Sequence, residues 1–205
     1  MTFDSWLILL LACCGACVIP GPNSLIVLSH SARFGVPKTI WTMAGGMLGF
    51  MFLMTITVLG LGAVMTSYPW VLDILKNIGS LYLALIGLRL WWSIENDMEY
   101  QVDHFQGFSV YKLFLEGLIS AITNVNALFF FISIIPNIIN NDHNIFLQAV
   151  ECSLTLGICE FCFEFLFALA TVYFAKKILK PGKVFNRICG SIFFGFAVLL
   201  QFKQY

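Results

Sequence analysis

The sequence predicts an all-α polytopic membrane protein. Six transmembrane helices are expected, built as two inverted three-helix repeats within a single membrane domain, residues 1–205. Three observations lead there. First, the chain is 60% apolar and only 11% charged, with mean hydropathy +0.89, whereas soluble domains approach a quarter charged. Second, six apolar segments each reach the roughly 20 residues that cross a hydrocarbon core. Third, short motifs of the first half recur in order in the second. The formal net charge is zero, so no field of one sign points to nucleic acid or to an acidic partner; the lipid bilayer is the expected surrounding.

The first segment, Trp6–Ser29, has no basic residue before its apolar run and is too long for a cleaved signal core, so it is expected to be retained. It is interrupted by Pro20-Gly21-Pro22-Asn23. Two prolines remove two backbone donors and strand carbonyls upstream. In hydrocarbon such groups cost several kcal/mol each, so irregular backbone is tolerated only against protein or a wet cavity. This break is therefore a candidate site. A basic turn, Arg33 to Lys38, leads to the second segment, Thr39–Met65, and Ser67-Tyr68-Pro69 leads to the third, Val71–Trp92. The acidic stretch Ser93–Gly107 separates the two repeats, about 1–104 and 105–205. The fourth segment is Tyr111–Ile139 and the polar cap Asn140–Asn144 precedes the fifth, Ile145–Ala175. A basic hinge, Lys176–Lys183, precedes the sixth, Phe185–Phe202.

Basic residues fix the expected orientation. Arg33, Lys38, Arg89, Lys112, Lys176, Lys177, Lys180, Lys183 and Arg187 flank the first, third and fifth connections, leaving only Lys76 and Lys203 opposite. Both termini are expected outside, in a multi-pass membrane protein. Trp6, Tyr68 and Trp70 on one side, and Trp41, Trp91, Trp92 and Tyr111 on the other, fit interfacial belts.

Pro22-Asn23-Ser24-Leu25 matches Val125-Asn126-Ala127-Leu128, and Ile78-Gly79-Ser80-Leu81-Tyr82 matches Cys189-Gly190-Ser191-Ile192-Phe193. Three helices per half is an odd number, which inverts the second half. Inverted repeats place a site near the midplane, between interrupted helices at corresponding positions. In the fourth segment the matching interruption is the polar cluster Ser120, Thr123, Asn124 and Asn126. Asparagine amides both donate and accept, which suits a zwitterionic or polar solute. The fourth segment lacks the proline, so the cavity is expected to be shaped mainly by the first helix.

Glu160 and Glu164 share a face of the fifth segment, roughly 6 Å apart. Two carboxylates that close in a low dielectric resist ionising together. Such a pair at membrane depth is what a proton-coupled carrier needs. Glu116 and Glu151 fall near helix ends, where they are expected to reach the interface. His30, His104 and His143 lack ligand spacing, so neither a metal nor another cofactor is expected. Cys14/Cys17 and Cys159/Cys162 are C-x-x-C pairs. They keep open a second reading, a membrane thiol-disulfide oxidoreductase, against the competing view that buried cysteine is packing.

The residues resemble the lysine exporter / homoserine–threonine exporter family of six-helix transporters. The resemblance is carried by Pro20 to Asn23 with Leu25–Ser31 and Gly35, by Gly45, Gly46 and Gly49, by Gly79–Gly87 with Arg89, by Asn124–Phe131 with Pro136, and by Asn186–Ser191. It implies a transporter rather than an enzyme, exporting amino acids or their derivatives across a bacterial inner membrane against protons, as a homodimer. On that pattern Pro20, Gly21, Pro22, Asn23, Asn124 and Asn126 would meet the solute, and Glu160 and Glu164 would carry the proton. Three positions depart from it. The family's Asn-Pro-Lys-Ala reads Asn124-Val125-Asn126-Ala127 here, its second-helix acid is Phe50, and its fifth-helix aspartate is Glu164.

Overall fold

The structure, a computed structural model, describes residues 1–67, 109–140 and 143–174, with individual helical positions between 74 and 92 and between 187 and 198. The expected third and sixth segments, the acidic and basic connections beside them, and the second pair of repeat motifs therefore lie largely outside the described residues. One described contact links those two segments. Trp91 Nε1 donates to Ser191 Oγ at 3.0 Å, and the Arg187 guanidinium lies 5.7 Å from the Trp91 ring centroid.

The described residues form six α-helices: α1 (Phe3–Cys17), α2 (Pro22–Phe34), α3 (Val36–Ser67), α4 (Val110–Ile122), α5 (Val125–Ile138) and α6 (Ile145–Phe174). Two of them, over Val36–Leu61 and Ile145–Thr171, are long and apolar enough to cross a membrane unaided. The pairs α1–α2 and α4–α5 also qualify, each as one span bent at a short break, by 55° and 51°. That gives two to four candidate spans among the described residues. The first and fourth expected segments are thus each two helices.

The two breaks are built differently. In the first, Val18 N–H still bonds Cys14 O, after which Pro20 and Pro22 end one helix and start the next. Gly21 is the N-cap, and Pro22 sits in the first turn, where its missing N–H is no loss. In the second, Thr123 and Asn124 N–H close on Ile119 O and Ala121 O. The Asn124 side chain then caps the new helix, accepting from Ala127 N at 3.1 Å. An asparagine cap does here what proline does in the first span.

Between α2 and α3 the chain turns on one residue, Gly35, whose φ of 78° excludes a side chain without strain. At the other end of the bundle Asn144 Oδ1 accepts from Phe146 N and Leu147 N to start α6. Gln148 Nε2 donates to Asn140 O and His143 O, tying down the turn before it.

α3 is the central helix, packed most extensively on α4 and then on α6. Its approach to α4 depends on glycine. A Cβ on Gly45 would strike the Phe114 carbonyl, and one on Gly117 would strike the Thr42 carbonyl. Polarity runs inward. Asn23, Thr39, Thr42, Ser133, Gln148 and Glu164 are buried, while Leu48, Phe52, Ile56, Leu147, Leu154, Ile158 and Leu166 are exposed on the outer faces. That inversion is what a lipid surrounding demands. Buried hydroxyls are satisfied along their own helices: Thr57 donates to Leu53 O, Ser133 to Phe129 O and Thr171 to Phe167 O.

Candidate functional site

The two breaks meet at one cavity of about 400 Å³. Cys17, Ile19, Pro20, Gly21, Pro22, Asn23 and Ser24 line it from the first break, and Asn124, Asn126, Ala127, Phe130 and Phe131 from the second. Phe50 of α3 and Leu156 and Glu160 of α6 complete the wall. The first span supplies the larger share of the wall, in line with the expectation from the sequence, and the Asn124 cap lets the second join it without proline. Since α2 and α5 both begin at the cavity, the positive ends of two half-helix dipoles converge on it.

Of the residues expected to meet the solute or carry the proton, all but one line this cavity, whereas Ser120 and Thr123 of the second polar cluster do not. The exception is Glu164, one turn beyond Glu160 and behind Asn23. Glu164 is 1% exposed, and its Oε1 accepts from Asn23 Nδ2 at 2.5 Å. Glu164 Oε2 and Asn23 Oδ1 are both buried without a hydrogen-bond partner among the described residues. Such orphans are rare and call for a functional or hydration account. Asn23 fits there because α3 presents Gly46 to it: a Cβ on Gly46 would collide with Asn23 Nδ2. Gly46→Ala is therefore expected to push Asn23 off Glu164. Loss of solute binding, measured by transport KM, should exceed any loss of thermal stability, because only a movable side chain has to give way.

The thiols are not arranged as two closed pairs. Cys14 Sγ lies 3.9 Å from Cys159 Sγ, which joins one member of each C-x-x-C motif across α1 and α6. Cys17 Sγ donates to Glu160 Oε2 at 3.0 Å. Sequence reasoning weighs Cys17 as a redox or a packing thiol and misses this role. Its place in the last turn of α1, just before the Pro20 break, was the available signal. Phe130, Phe131 and Leu156 as wall residues were also missed, since an apolar residue on an apolar helix gives no hint of which way it faces.

Glu116 does more than reach the interface, since it meets His30 near the end of α2. Glu116 Oε2 lies 3.0 Å from His30 Nε2, and His30 Nδ1 lies 2.8 Å from Thr42 Oγ1. This pairing connects α2, α3 and α4 two turns along α2 from Asn23.

Among known proteins, the leucine efflux protein of Klebsiella pneumoniae subsp. pneumoniae is 25% identical over 191 residues, spanning 91% of this chain and 90% of the relative. That of Enterobacter sp. is 29% identical over 189 residues, spanning 89% and 88%. The Bacillus subtilis membrane protein YrhP is 27% identical over 191 residues, spanning 88% and 90%. No solved structure matches. The family model of the LysE type translocators matches residues 15–204, a stretch that holds both breaks, the cavity and the buried carboxylates. The chain is accordingly a transporter rather than an enzyme, and belongs to the LysE type translocator family.

Proposed function

We propose that this protein exports neutral amino acids or closely related metabolites from the cytoplasm by proton antiport. The observation that carries the reading is the convergence of two half-helix N-termini and Glu160 on one cavity, with Glu164 buried behind. The helix starts at Pro22 and Val125, with the amides of Asn23, Asn124 and Asn126, suit the carboxylate of a zwitterion. Pro20, Gly21 and Pro22 hold that backbone open. Glu160 borders the cavity and is the natural partner of the solute ammonium, with Glu164 behind it. Neighbouring carboxylates share a single negative charge, so ammonium and proton compete for the same group. Competition of that kind is the basis of antiport, since a proton arriving from outside displaces the solute.

The neutral class follows from what the cavity wall lacks. Phe50 and Asn126 stand where the family pattern has an acid and a lysine, and both line the cavity. A charged solute side chain would be left unpaired there, at a cost of several kcal/mol. The naming of relatives as leucine efflux proteins supports an apolar side chain against Phe50, Phe130 and Leu156. The paired bends at corresponding places in the two halves support an inverted repeat. Basic connections favour both termini outside, the acidic stretch Ser93–Gly107 supports a division at about residue 104, and the homodimer and the bacterial inner membrane rest on the family resemblance. The test is uptake of labelled amino acids into inside-out vesicles with an acidic interior. Leucine-class solutes are expected to accumulate roughly tenfold over arginine or glutamate, one tenfold step being about 1.4 kcal/mol. Accumulation of none, with folded protein present, would sink the assignment.

A further inference from the structure

The first span meets α6 along a row of polar contacts. Trp6 Nε1 donates to Thr155 Oγ1 at 3.1 Å, Cys14 Sγ lies 3.9 Å from Cys159 Sγ, and Cys17 Sγ donates to Glu160 Oε2 at 3.0 Å. Asn23, on the other arm of the elbow, donates to Glu164. On α6 the partners Thr155, Cys159, Glu160 and Glu164 follow one another at helical-turn spacing along one stripe. The Pro20–Pro22 elbow therefore sets the two arms of the first span against successive turns of α6. Each arm holds one carboxylate, Cys17 from the last turn of α1 and Asn23 from the first turn of α2. The two carboxylates differ in what they face. Glu164 lies behind Asn23, whereas Glu160 borders the cavity, and so does Cys17. Among the described residues no other helix brings a side-chain donor to Glu160.

We propose that Cys17 is a positioning residue for solute binding: its thiol holds the Glu160 carboxylate at the cavity wall, where the solute ammonium has to meet it. That role rests on the carrier reading proposed above. The chemistry suits it. A carboxylate without a partner samples several rotamers and loses that freedom when the solute arrives. A lysine or arginine in place of Cys17 would hold the carboxylate, but would also cancel the charge that the ammonium needs. A thiol is a neutral donor and a weak one, strengthened where the acceptor is ionised. It orients Glu160 and leaves the charge to the solute. Cys17 also belongs to the apolar core, in one cluster with Leu9 and Cys13, so packing is the competing account. The two accounts rank substitutions differently. Cys17→Ser keeps a donor but puts a more polar group into that core, whereas Cys17→Ala drops the donor and stays apolar.

Leucine uptake into inside-out vesicles with an acidic interior is the first measurement. In Cys17→Ala the KM should rise roughly fivefold with the maximal rate within about twofold of the parent, as loss of one ordinary hydrogen bond would give. Cys17→Ser should bring the KM back to within about twofold of the parent. A thiol that only packs would rank the two the other way, since a hydroxyl without a partner fits an apolar site worse than a methyl. An unchanged KM in Cys17→Ala, a KM as high in Cys17→Ser, or failure of Cys17→Ala to fold would each overturn the proposal. The second measurement, infrared spectroscopy of the full chain in lipid, needs no transported solute. The S–H stretch of Cys17, isolated by subtracting the Cys17→Ala spectrum, should lie at the low frequency of a hydrogen-bonded thiol. In Glu160→Leu, which removes the acceptor, it should move to the frequency of a free thiol. A free-thiol band in the parent, or a band that Glu160→Leu leaves in place, would overturn the proposal on its own. No transport by a folded parent whose band is hydrogen-bonded would instead overturn the carrier reading, and the solute role of Cys17 with it, while its hold on Glu160 would stand.

Discussion

Glu164→Gln is expected to lower proton-driven export by roughly a hundredfold, the lower end of what a positioned proton-transfer group supplies. The amide has nearly the shape of the carboxyl, and after rotation its carbonyl still accepts from Asn23 Nδ2. What it cannot do is bind and release a proton. The helices around it should therefore stay packed, with little change in melting temperature. Solute exchange at equal concentrations, which moves no net proton, should persist while accumulation against a gradient disappears. Glu160→Gln should differ, because Glu160 borders the cavity itself. There both exchange and accumulation should fall, through loss of the group that meets the ammonium. Reconstituted vesicles with and without a pH gradient separate the two outcomes. Full pH dependence of accumulation in Glu164→Gln would remove that residue from the proton path.

The largest effect on stability is expected at Gly117. An added Cβ would meet the Thr42 carbonyl and, within 3.0 Å, the Gly46 amide nitrogen. Those atoms are backbone, so α3 and α4 must separate along their length. Overpacking of this kind costs about 1–3 kcal/mol where side chains can shift, and more where they cannot. Gly117→Ala should therefore lose about 3 kcal/mol, seen as a lower melting temperature in detergent and poor recovery of monodisperse protein. Gly45→Ala should behave similarly, since it meets the Phe114 carbonyl from the other side of the same crossing. Gly60→Ala is the control, with nothing within 4 Å of its added methyl. If the three variants were equally stable, the close approach of these helices would not be what holds the bundle.

Local chemistry made part of this legible in the sequence. Pro20-Gly21-Pro22 breaks a helix wherever it occurs, and its setting in an apolar run marked it as a site. Glu160 and Glu164 share a face by spacing alone. The second break was half legible. Its polar cluster was visible, but the sharpness of the bend was not, because a side-chain cap is a weaker local signal than a ring without an N–H. Relations between distant segments were not legible at all. That Glu164 lies behind Asn23 depends on Gly46 in a third helix. The pairing of His30 with Glu116 depends on α3 and α4 crossing at glycines, and neither residue alone announces a partner.

The two breaks also differ in whether they can be undone. The elbow at Pro20 and Pro22 is permanent, since no rearrangement gives a proline ring an N–H to donate. The elbow at Asn124 has no proline, and its side-chain cap is one hydrogen bond, from Ala127 N to Asn124 Oδ1, worth about 1 kcal/mol. Straightening the first span would leave carbonyls with no donor whatever the packing, whereas straightening the fourth would exchange a side-chain cap for main-chain helical bonds. One wall of the cavity is thus fixed by covalent structure, and the other by a side chain that a single substitution can remove.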